Sequence, residues 1–112
     1  MDLSDLPPEE ERGLLSVLGY WAERWDHGCA GRFGLDQSQY QAVLATWPNA
    51  AWEQEQAAAL AIGGALRESL YGCDARRREE ILERAGLSYT QACAVLDDLT
   101  PRIEQALRTG GG

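Results

Sequence analysis

ILERAGLSYTQACAVLDDL, Ile81 to Leu99, is the stretch whose reading decides the fold. A short amphipathic helix reaches Ala85. Gly86 then stands where a helix can end in a left-handed turn. Ser88 or Thr90 can cap a second helix. Cys93, Leu96, Leu99, Ile103 and Leu107 keep helical phase across Pro101, so this last segment is read as one kinked helix or two consecutive ones.

The rest of the chain repeats the pattern. Pro7 and Pro8 suit a first helical turn, and Glu9, Glu10 and Glu11 sit where the helix dipole favours negative charge. Leu14, Leu18, Trp21 and Trp25 form a helical stripe, which predicts helix one ending near His27 and Gly28. HGCAGRFG, His27 to Gly34, holds three glycines and is read as a loop. Asp36 caps a second helix bearing Tyr40, Val43, Leu44 and Trp47, and Pro48 with Asn49 stops it. A third helix is expected from about Ala50 to Tyr71, ending at Gly72. Gly63 and Gly64 within it point to a close contact, a kink or a break. Asp74 caps the helix that leads to Gly86.

No stretch alternates with period two and β-branched enrichment. The expected fold is all-α, a compact bundle of five or six short helices with a helix-turn-helix-like segment near the C-terminus. A chain of 112 residues fits one domain. Its expected limits are 7–109, with a flexible acidic lead-in at 1–6 and a flexible tail at 110–112.

Composition excludes several function classes. Acids outnumber bases 18 to 10, a formal net charge of −8. Nucleic acids and anionic leaflets would repel such a surface, so the balance favours a basic partner or an uncharged one. All ten bases are Arg. The absence of Lys rules out Schiff-base catalysis and a P-loop. The longest apolar run, Ala57 to Leu66, suits a buried helix and not a membrane span. MDLSDLPPEEE lacks the basic and apolar regions of a signal peptide, and three scattered cysteines do not make a disulfide framework. A cytoplasmic setting is expected.

Three functional readings can be drawn from particular residues. A DNA reader would use the helix-turn-helix at 80–99. Its second helix offers Thr90 and Gln91 for base edges but no base for phosphate, and it carries Asp97 and Asp98. A metal or thiol protein would use His27 and Cys29, with Cys73 and Cys93 further off; only one close pair exists, whereas zinc sites usually use two. Adjacent carboxylates such as Asp97-Asp98 point in different directions on a helix, so they make no acid–base pair.

The third reading rests on the aromatic residues. Tyr20, Trp21, Trp25, Phe33, Tyr40, Trp47 and Trp52 fall within 33 residues. Four Trp are many for a small core, because each indole N–H needs a partner, and Trp and Tyr are enriched at binding hot spots. The expectation is a non-enzymatic protein-binding module without a cofactor. Its partner surface is expected at Trp25, Phe33 and Trp52, with Asp97 and Asp98 supplying acidic framing. The small residues Ala57, Ala61, Gly64 and Ala65 would let a second copy approach, giving a homodimer.

Overall fold

The computed structural model describes residues 3, 5–47 and 55–110, apart from the side chains of His27 and Thr109. Six helices make up the described chain: α1 (Pro8–Glu23), α2 (His27–Phe33), α3 (Gln37–Ala45), α4 (Glu55–Arg67), α5 (Ala75–Ala85) and α6 (Tyr89–Gly110). Among the described residues there is no strand. A π-helical turn, Glu68–Gly72, continues α4 without interruption. The radius of gyration, 12.9 Å, is what a packed chain of this length should have.

α4 is the axle of the bundle. α6 lies along it, and α1, α2 and α3 pack on its other sides, while α5 packs on α1. The sequence of α4 explains this. Ala58, Ala59, Ala61, Ile62, Gly63, Ala65 and Leu66 are all buried, so this helix is apolar nearly all round and must be enclosed. Its small residues set how closely the neighbours come. A Cβ on Gly64 would overlap the Phe33 ring of α2, and one on Gly63 would come to 3.4 Å of Ile103 in α6. The paired glycines therefore mark two close helix approaches, and α4 runs through them unbroken.

That packing uses up the face expected to join a second copy. Ala61 and Ala65 are fully buried, Gly64 is covered by Phe33, and Ala57 packs partly buried against the core. The chain's own helices fill the stripe.

Local signals fix most boundaries. Asp36 and Gln39 form a reciprocal capping box at the start of α3, with bonds of 2.8 and 3.0 Å. Asp74 accepts the Arg77 N–H at 2.8 Å and starts α5. Gly86, at φ 72°, ends it in the left-handed conformation that glycine adopts without penalty. Ser88 and Gln91 then make a second capping box before α6. α6 is not short: it spans 22 residues and passes Pro101 as one helix. Asp97 and Pro101 are both exposed, so the proline that removes an N–H from the helix lies on its solvent side. Thr100 donates its hydroxyl to the Leu96 carbonyl at 2.7 Å beside this point.

Two expectations about chain organisation are corrected. The 27–34 segment is a helix, not a loop, and α1 stops earlier, at Glu23. Asp26 caps α2, Gly34 ends it at φ 72°, and Cys29 and Phe33, four residues apart, are buried on one face. The described residues of the lead-in touch the rest of the chain. Leu3 is buried, Leu6 packs on the core, and Asp5 forms a two-pronged ion pair with Arg102 of α6.

Candidate functional site

Where α1, α2 and α3 meet, five aromatic rings form a continuous cluster. Tyr20 and Trp21 meet edge to face with centroids 5.5 Å apart, and Trp21 meets Phe33 at 6.1 Å. Phe33 stacks on Tyr40 at 5.6 Å, and Trp25 leans on both, 5.6 Å from Phe33 and 5.0 Å from Tyr40. Such pairs add roughly 0.5–1.5 kcal/mol each beyond the area they bury.

Two buried polar atoms of the cluster have partners within the chain. The Tyr40 hydroxyl donates to the Leu18 carbonyl at 2.6 Å, and burial drives its ionisation far above the ordinary range. The Trp21 indole donates to the Ser69 hydroxyl at 2.8 Å. The sequence reading, which held four Trp to be too many for a core, missed this partner because Ser69 lies 48 residues away.

Trp25 is the member of this cluster that reaches the surface, where it is half-buried. It lines an open groove of about 580 Å³ together with Asp26, Ala30, Asp36 and Gln37. The volume falls within the range of small-molecule and side-chain sites. Both carboxylates in the groove are helix caps. Asp26 uses one oxygen, Oδ1, to accept the N–H groups of Gly28 at 2.8 Å and Cys29 at 3.2 Å. These bonds hold its carboxyl below the usual carboxylate range. Asp36 likewise uses Oδ1 to cap α3.

The expected partner surface is thereby redrawn. Phe33, at 2% exposed, offers no face to a partner; α2 turns it inward, and it supports Trp25 from beneath. Trp52 lies outside the described residues. Asp97 and Asp98 are exposed on α6, and the charge of Asp97 acts on Tyr71. The acidic residues that line the groove are Asp26 and Asp36, hidden from sequence reading because Asp26 falls in the stretch read as the end of helix one and Asp36 looks like a plain cap.

A second exposed aromatic pair lies at the end of α4 and the start of α6. Tyr71 is 63% and Tyr89 45% exposed. The Tyr71 hydroxyl lies 3.8 Å from the Cys93 sulfur, and the Arg78 guanidinium sits over the Tyr89 ring at 4.9 Å. No sequence signal separated these tyrosines from core aromatics.

The other two readings find little in the geometry. Residues 75–110 do run helix, turn, helix, but α5 packs chiefly on α1 and α6 on α4. The exposed positions of the first turns of α6 are Tyr89, Thr90, Gln91, Ala94, Asp97 and Asp98, with no base among them. The Gln91 side-chain oxygen accepts the Ser88 N–H in the capping box. Cys29 is fully buried, and burial pushes its thiol up, which is opposite to what a nucleophile or metal ligand needs. Among the described residues, no three His, Cys, Asp or Glu side chains converge as a metal site would require.

No protein-family model, curated protein or solved structure matches this chain. Among the described residues, no helix is long and apolar enough to cross a membrane.

Proposed function

We propose that this chain is a non-enzymatic binding module that docks another protein at the Trp25 groove. One observation carries the reading: a half-buried tryptophan packs against two enclosed rings and shares an open groove with two carboxylates. Aromatic anchors of this kind dominate interface energetics, because they bring much contact area with few rotatable bonds. The net charge of −8 supports a partner with a basic surface, since it speeds the approach of cations.

The test is affinity capture from the native host with three forms of the protein: unaltered, Trp25→Ala and Tyr71→Ser. Loss of the partner in Trp25→Ala, with retention in Tyr71→Ser, is the expected result. A partner kept by Trp25→Ala and lost by Tyr71→Ser would move the binding surface to the end of α4 and refute the groove reading.

A further inference from the structure

The groove has an uneven chemistry. It is lined by Trp25 and Ala30, by the carboxylates Asp26 and Asp36, and by the uncharged Gln37. Each aspartate spends Oδ1 on a helix cap, and its Oδ2 accepts no bond among the described residues. The caps fix both carboxylates, so the two free oxygens belong to immobile groups. The cation whose charge reaches Asp26 is Arg32, which forms no ion pair with it. A tryptophan that shares a groove with two carboxylates, each with an unengaged oxygen, suits one group in proteins above others. A guanidinium is flat, stacks on indole, and presents forked donors to carboxylate oxygens.

We propose that the groove takes a single arginine side chain of the partner, its guanidinium stacked on Trp25 and hydrogen-bonded to Asp26 and Asp36. This rests on the protein-docking reading above and narrows it to a ligand class. Lysine fits less well, because a compact, strongly hydrated ammonium neither stacks nor bridges two acceptors in one plane. The like charge of Arg32 weakens the site, so its removal should strengthen binding.

The test uses a short glycine-flanked arginine peptide, blocked at both ends, and the same peptide with citrulline, the neutral isostere. Binding is followed on the full chain by the indole and amide NMR signals of Trp25, Ala30 and Gln37. The arginine peptide is expected to shift these signals at millimolar concentration, and the citrulline peptide to leave them in place. Asp26→Asn and Asp36→Asn keep their helix caps, because Asn caps as well as Asp. Each should weaken arginine binding about three- to fivefold, the loss typical of one exposed charge contact. Arg32→Gln should tighten it.

Equal binding of the citrulline peptide overturns the proposal. So do shifts scattered over other acidic surfaces with Trp25 unmoved, and so does the absence of any shift. A neutral partner that still depends on Trp25 would sink the arginine assignment and leave the docking surface standing. A partner indifferent to Trp25 would remove the docking surface itself.

Discussion

The Trp21 indole N–H and the Ser69 hydroxyl meet at 2.8 Å in the interior, joining α1 to the π-helical turn that ends α4. Ser69 is completely buried. Replacing it by alanine leaves a buried indole donor without an acceptor. Ser69→Ala is expected to lower stability by about 1–3 kcal/mol. Urea denaturation followed by far-UV circular dichroism measures this, and an unchanged midpoint would show that the bond contributes nothing.

The helix glycines separate into two kinds. Gly19 in α1 has open space where a Cβ would stand, whereas a Cβ on Gly64 would overlap Phe33. Gly19→Ala should therefore stabilise the chain by up to about 1 kcal/mol, the helix-propensity difference. Gly64→Ala gains the same propensity, but overpacking costs about 1–3 kcal/mol and outweighs it, because Phe33 is locked among Trp21, Trp25 and Tyr40. Opposite shifts in melting temperature are the expected outcome.

Acid should weaken the fold from the carboxylate side. Arg102 holds the Asp5 carboxyl below its ordinary range, Arg84 does the same for Glu23, and main-chain N–H groups do so for Asp26. A carboxylate whose folded pKa lies below its unfolded one contributes stability that is fully present above the unfolded value, about 4. That contribution fades as pH falls through the depressed folded value. Stability measured by denaturant from pH 6 downward should be level until about pH 4 and then decline. Glu23→Gln should make the decline shallower. An identical slope in that variant would remove the Arg84 ion pair from the account.

The three thiols should react in order of access. Cys29 is fully enclosed, while Cys73 and Cys93 are both half-buried; Cys73 donates to the Ser69 carbonyl at 3.3 Å and Cys93 lies beside the exposed Tyr71. Burial pushes the Cys29 and Cys73 thiols up, which lowers their thiolate fraction. Iodoacetamide labelling with peptide mapping should find Cys93 modified first and Cys29 last, at the rate of opening. Cys29 reacting as fast as Cys93 in the native protein would contradict the enclosed position.

The parts of this fold legible in the sequence are those written locally. Asp36, Asp74 and Gly86 announce their helix ends within three or four residues, and all three act as read. The leucine and tryptophan stripe of α1 is legible for the same reason. α2 was not, because three glycines read as a loop and the evidence against them is tertiary: Cys29 and Phe33 enter the core together, and Gly64 on a distant helix makes room. The groove was half legible. Trp25 stood out as an aromatic near a helix end, but its neighbours Asp26 and Asp36 are brought together only when α2 folds between them.

The column of rings beneath Trp25 has a bearing on energetics that its geometry alone does not state. Gly64 admits Phe33 against the central helix, and Phe33 with Tyr40 carries Trp25. The indole at the surface thus rests on two rings that are themselves enclosed. Its rotational freedom is surrendered once, when the chain folds, and a molecule arriving at that ring meets a surface with little left to order.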